Sequence, residues 1–262
     1  MSRRADRYQS ERGRGPNRRG AQQSPGKGAE EPTEPQAKIA PFKPRGENQI
    51  EYVRSLYEYR LTFALGPAGT GKSYVAASIA AKLLADKSVK SLILCRPAVE
   101  AGEEHLGFLP GDLSEKMAPW TAPIIDILYQ RLGKQRVDGM VRAGVIKTIP
   151  FAYMRGWTLQ DAFVLLDEAQ NTTPSQMKLF LTRIGEGATV SVNGDTKQSD
   201  IHSEDNGLAT AIWLATRFNI PCGVIKFTPE DCVRSEMCRA WSIAFEEDED
   251  HIDNSLPFLR AS

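Results

Sequence analysis

A lysine and a hydroxyl closing a glycine-rich loop, and two adjacent carboxylates far along the chain, are residue types that together can grip and cleave a polyphosphate. The loop reads Gly66-Pro67-Ala68-Gly69-Thr70-Gly71-Lys72-Ser73-Tyr74. Its spacing fits the Walker A pattern, in which backbone N–H groups ring the phosphates, the lysine meets the β- and γ-phosphates as a point charge, and the serine hydroxyl is a ligand for Mg2+. Gly69 and Gly71 allow the close backbone approach, and the helix that follows adds its unpaired N–H groups. The plain alternative is a glycine-rich turn that binds nothing; an apolar strand before it and a helical pattern after it weigh against that. The stretch FVLLDEAQN (163–171) supplies the carboxylates: Asp167 as the Mg2+ partner and Glu168 as the base that orients and polarises water. A third stretch, VNGDTKQSD (192–200), offers Gln198 as a sensor of the γ-phosphate and Asp195 near the metal, although a Gly-Asp-Thr turn alone is also an ordinary loop. The expected ligands are ATP and Mg2+.

Something must hold these groups at one edge. Five short apolar runs, LTFAL (61–65), SLILC (91–95), AFVLL (162–166), ATVSVN (188–193) and CGVIKFT (222–228), read as buried strands, and VIKTI (145–149) as a further one. Helical spacing recurs in KSYVAASIAAKLLA, in 113–144, in PSQMKLFLTRI and in NGLATAIWLATRF. Strands alternating with helices predict an α/β fold around a mainly parallel sheet with helices on both faces. Both carboxylates would then lie at the carboxyl edge of that sheet, where open α/β folds bind ligands.

Composition bounds the rest. The 262 residues are 41% apolar and 25% charged, with a formal net charge of zero, so no global field steers the chain toward nucleic acid. No run of eighteen apolar residues occurs and no apolar run backs the arginine-rich start; the expectation is a cytoplasmic protein without membrane contact. Cys95, Cys222, Cys232 and Cys238 form no Cys-x-x-Cys pair and read as reduced thiols. Residues 1–44, crowded with Arg and then Pro and Gly, read as a disordered arm, either touching nucleic-acid phosphates or merely solubilising. The folded domain is expected over 45–246, with an acidic polar tail at 247–262. His105, His202 and His251 are scattered and read as structural.

The blocks GPAGTGKS, RPAVEAGEEHLGFLPGDLSEKM, PFAYMRGWTLQDAFVLLDEAQNTTPSQMKLFLTRIG, GDTKQSD and DCVRSE, in that order, resemble those of PhoH-like ATPases, cousins of superfamily 1 helicases, from about Asn48 to Phe245. The resemblance implies a RecA-like P-loop NTPase in which the strand before GDTKQSD lies between the P-loop strand and the LLDEAQ strand, setting Gln198 beside the γ-phosphate. It implies an adenine contact for Gln49 and a coupling role for Gln170 and Asn171. It also implies a homo-oligomeric ring, a hexamer, working on single-stranded RNA or DNA. One lobe leaves the nucleotide without a second wall, so a neighbouring copy is expected to lend an arginine finger, Arg234 first and Arg239 second. Arg96 and Arg155 are candidates for polynucleotide phosphates, and Trp157, where the family has an arginine, for base stacking. The alternative reading is a nucleotide-gated scaffold that recruits a nuclease or ribosome-maturation partner.

Overall fold

A computed structural model describes residues 42–97, 113–195 and 206–249, the side chains of 113–117, 152 and 249 excepted. Among them six strands, β1 (Leu61–Leu65), β2 (Ser91–Cys95), β3 (Ile146–Thr148), β4 (Ala162–Leu166), β5 (Thr189–Gly194) and β6 (Gly223–Lys226), form one sheet in the order β3-β2-β4-β5-β1-β6. Every pairing is parallel. The expected neighbours are found: β5 lies between β1 and β4.

A parallel sheet needs both faces covered, and the strand side chains divide accordingly. On one face Ala64, Leu92, Leu94, Phe163 and Leu165 pack under α1 (Glu47–Glu58), α2 (Lys72–Ala85), α3 (Leu113–Leu132) and α4 (Lys134–Arg142). On the other, Phe63, Leu65, Ile93, Val164, Val190 and Val192 meet α5 (Pro174–Leu181) and α6 (Gly207–Arg217). Alternate residues of β4 thus enter different cores, which is why its five apolar residues are all buried. Helix α7 (Glu236–Glu249) follows β6 and runs into the stretch read as an acidic tail.

Helix boundaries follow local chemistry. Thr173 caps α5 by accepting from the Gln176 N–H, while the Gln176 side chain takes the Thr173 N–H, with Pro174 at the first helical position. Asn206 caps α6 through the Ala209 N–H.

Helix α1 is fastened by polar contacts as well as apolar ones. The Tyr52 hydroxyl, fully buried, bonds Asn193 Oδ1 at 2.7 Å and the Ser191 hydroxyl; Ser55 and Thr62 bond at 2.8 Å. Burial pushes the Tyr52 hydroxyl far up, so it stays protonated and can donate. Tyr52→Phe leaves the shape but takes one partner from Asn193 and Ser191, which keep the bond between them at 2.9 Å. We expect it to cost about 1–2 kcal/mol, seen as a melting temperature lower by a few degrees.

Candidate nucleotide site

The carboxyl ends of β1, β4 and β5 open into one cavity of about 1200 Å3. Its floor is the turn from β1 into α2. The Gly66 N–H donates to the Gly194 carbonyl at 3.1 Å, and the Asp167 N–H to the Cys95 carbonyl at 3.0 Å, so strand pairing continues past the sheet and fixes both loops. Gly66 is required by close approach: at φ 133 a Cβ there would stand 2.2 Å from the Phe227 carbonyl oxygen. Gly69 lies at φ 86, the left-handed backbone that the sequence pattern calls for.

The two halves of the expected metal site meet. Ser73, in the first turn of α2, donates from Oγ to Asp167 Oδ1 at 2.8 Å across the end of β5. Burial raises the Asp167 carboxyl above its ordinary range; the bond from Ser73 opposes this, Glu168 adds to it, and Arg96 and Lys72 oppose it. Burial lowers Lys72, with Asp195, Asp167 and Glu168 working the other way. Lys72 Nζ donates to the Gly66 carbonyl and, at 2.8 Å, to the Pro67 carbonyl. The Thr70 hydroxyl also donates to Pro67, at 3.1 Å.

Glu168 is held in left-handed backbone at φ 55, a conformation that costs a non-glycine residue about 1–3 kcal/mol. Gln170 Nε2 donates to Glu168 Oε2 at 2.7 Å, and Arg96 Nη2 stands 3.7 Å from Oε1. Gln170 Oε1 in turn accepts the Asp195 N–H at 3.1 Å, so one amide bridges the ends of β4 and β5.

Most of the sequence-predicted residues gather here: Gly66, Ala68, Gly69, Gly71, Lys72, Ser73, Tyr74, Asp167, Glu168, Asp195 and Arg234 line the cavity. Pro67 and Thr70 belong to the same loop. Gln198 and the three histidines lie outside the described residues. Gln49 is buried at the cavity edge, where Nε2 donates to the Thr70 carbonyl at 2.9 Å and Oε1 accepts the Arg45 N–H at 3.0 Å. One N–H and one lone pair of its amide stay available beyond these bonds.

Three placements depend on the tertiary structure. Arg96 lines the cavity, because β2 lies beside β4 and delivers it to Glu168. Phe42, Lys43 and Pro44, within the stretch read as a disordered arm, line the cavity, and the Phe42 ring lies 5.9 Å from that of Tyr74. Arg234 stands in its own chain's cavity: the Val233 N–H donates to the Gly69 carbonyl at 3.0 Å and pins this segment against the glycine-rich loop. Helix α3, with Ile124, Ile127 and Arg131, also lines the cavity. Arg239 is engaged elsewhere, donating to the Cys232 carbonyl at 2.9 Å.

Comparison with known proteins agrees with this picture. The chain is 44% identical over 203 residues to protein PhoH of Escherichia coli (strain K12), covering 76% of this chain and 57% of that one. It is 51% identical over 164 residues to a PhoH-like protein of Bacillus subtilis (62% and 51% covered) and 51% over 160 residues to one of Mycobacterium tuberculosis (61% and 45% covered). The chain therefore spans about half the length of the curated relatives it matches. A structural likeness to the Pif1 helicase of Candida albicans, at a TM-score of 0.35 and 18% identity over 70% of this chain and 40% of that one, is too slight to add to the topology. Residues 41–246 match the profile described as PhoH-like protein, and the chain belongs to that family.

Proposed function

We propose that the chain binds ATP with Mg2+, hydrolyses it, and couples turnover to single-stranded RNA or DNA as a ring of copies in the cytoplasm. The observation that carries this reading is the contact of Ser73 with Asp167, which joins the two motifs of a phosphate-cleaving site within one cavity that also holds Lys72 and Glu168.

The donor set suits Mg2+. A hydroxyl and a carboxylate are hard oxygen ligands, and a cation with only two protein ligands keeps water and phosphate oxygens in its remaining positions. Among the described residues no group of three or more His, Cys, Asp or Glu makes a closed metal cage. Bound there, the ion would neutralise phosphate charge. The chain's own residues do the rest: the loop N–H groups and Lys72 grip phosphates, Glu168 accepts a proton from water, and Arg234 offsets charge on the outer phosphate. Gln49, Tyr74 and Phe42 would face the base, and Gln198 the γ-phosphate.

Two surface features support the wider reading. Met237, Trp241 and Phe245, each separated by one helical turn on α7, are exposed, and Trp241 stacks on Phe245 at 5.6 Å; such a stripe suits contact with another copy or a partner. Past β3, Arg155 and Trp157 are exposed, and Lys147 Nζ lies 5.8 Å from the Trp157 ring centre, a basic and aromatic pairing suited to single strands. No helix among the described residues is long and apolar enough to cross a membrane.

Phosphate release from ATP should require Mg2+ and rise severalfold with single-stranded RNA or DNA. A rate indifferent to nucleic acid ends the coupling, and no release ends the hydrolysis. Asp167→Asn separates site from fold. Because burial raises the Asp167 carboxyl, the folded chain binds that proton more readily than the unfolded one, and stability falls as pH climbs through the interval between the two values. Above the unfolded value the buried carboxyl is therefore a cost to the empty protein. We expect Asp167→Asn to melt a few degrees higher without ligand and to lose the further rise that ATP with Mg2+ gives the parent, both measured by thermal melting.

A further inference from the structure

Two of the four cysteines converge on the glycine-rich loop although six positions separate them in sequence. A Cβ on Gly69 would lie 3.0 Å from Cys232 Sγ and 3.2 Å from Cys238 Sγ, so both sulfurs press on the same point of the loop. Two sulfurs this close to one point are also close to each other, and each shifts the proton affinity of the other, Cys238 lowering Cys232 and Cys232 raising Cys238. Between them runs the segment that delivers Arg234 to the cavity and holds Gly69 through Val233. We propose that Cys232 and Cys238 form a reversible disulfide that lowers the affinity of the loop for nucleotide.

The two thiols differ in ways that suit such a pair. Cys232 is buried, and burial raises its thiol, but the N–H groups of Arg234 and Ser235, the Cys238 thiol and the charge of Arg239 outweigh this and bring it below its ordinary value. Cys238 is the half-buried member, raised chiefly by its hydrogen bond to Cys232. A peroxide would meet Cys238 first, transferring one oxygen to give a sulfenic acid and leaving as water. The Cys232 thiolate then attacks that sulfur and displaces hydroxide, so two thiols lose two electrons and two protons to one S–S bond and the peroxide is reduced. A small disulfide serves equally, leaving as two thiols. The other cysteines stay out of this chemistry: Cys95 is buried in the sheet with its thiol pushed up to about 12, and burial also raises Cys222.

Bonded sulfurs lie about 2.05 Å apart, nearer than any hydrogen-bond contact. Closing that gap shifts residues 232–234, and the bond from Val233 carries the shift to Gly69, whose neighbours must ring the phosphates. The expected effect is about a tenfold loss of nucleotide affinity, roughly the worth of one loop hydrogen bond.

The proposal rests on the nucleotide-binding reading, and the test separates the two. The full chain is treated with hydrogen peroxide or with oxidised glutathione, then assayed for free thiols, for cross-linked peptides by mass and for binding of a fluorescent ATP analogue. Thiols should fall from four to two, a peptide pair joining Cys232 to Cys238 should appear, affinity should drop about tenfold, and a reductant should reverse all three. Cys238→Ser should bind the analogue under both conditions, and Cys222→Ser should behave as the parent. No cross-link, or a cross-link with unchanged affinity, overturns the switch. A reduced parent chain that fails to bind the analogue overturns the nucleotide reading instead, and the cross-link then stands or falls by its mass alone.

Discussion

Glu168→Gln is expected to bind ATP as tightly as the parent chain while hydrolysing it about a thousandfold more slowly. The substitution removes basicity and, by placing an NH2 where Oε2 accepted from Gln170, one hydrogen bond besides. A glutamine keeps the length of the side chain, and its amide oxygen can still face the Arg96 guanidinium 3.7 Å away. The left-handed backbone at 168 is retained too, since φ 55 is as demanding for Gln as for Glu. What disappears is the capacity to accept a proton from water. A merely structural Glu168 would instead leave turnover little changed, and the melting temperature too, because its pairing with Arg96 is partly exposed and of small worth. Single-turnover hydrolysis and equilibrium ATP binding, measured on the same preparation, decide the matter; hydrolysis at the parent rate removes the base assignment. Gln170→Ala should be intermediate. It frees Glu168 Oε2 and takes the acceptor from the Asp195 N–H, so Glu168 is less well aimed but still basic, and the pH profile should keep its shape as the rate falls.

Why some of this was legible and some not follows from the range of each interaction. The strands at 61–65, 91–95 and 162–166 stand where the apolar runs put them, since each run ends at a glycine or a charged residue: Gly66, Arg96 and Asp167. The glycine-rich loop, Ser73 and the two carboxylates carry their chemistry in adjacent residues, and a parallel sheet brings all strand ends to one edge. Arg96 carries no such local mark. Its place in the cavity depends on β2 lying next to β4, a fact of strand order that periodicity does not encode. Arg131 reaches the cavity only through the packing of α3 on α2, and Phe42 only because the chain before α1 turns back across the loop toward Tyr74. Gln49 shows the same limit from the other side. The family resemblance marks it as an amide for adenine, but not that it is buried with its amide already bonded to Thr70 and Arg45, so that it ties the start of α1 to the glycine-rich loop. The cysteine pair is a tertiary feature altogether: spacing hides it, and the return of residues 232–238 onto Gly69 creates it.

Lys72→Ala and Arg234→Ala should each reduce kcat/KM by about a thousandfold or more, and mixing the two proteins should restore nothing. Burial already lowers the proton affinity of Lys72, so an incoming triphosphate finds a charge poorly solvated and hydrogen-bonded to two loop carbonyls. Moving Nζ from those carbonyls to phosphate oxygens exchanges neutral acceptors for charged ones, about 1.5–3 kcal/mol for a charge-assisted bond, so Lys72→Ala loses affinity as well as rate. Arginine is no substitute, because its planar fork cannot occupy the space of a point charge under the loop. Arg234 differs in being exposed at the cavity rim, so its removal should spare ATP binding and fall on kcat. The mixture then asks whose nucleotide Arg234 serves. If it acts across a junction, a Lys72→Ala chain lends its arginine to the intact loop of an Arg234→Ala neighbour, and activity returns. With Val233 fastened to Gly69 of the same chain, every pocket in the mixture carries one lesion or the other, and the assembly stays inactive however it is arranged.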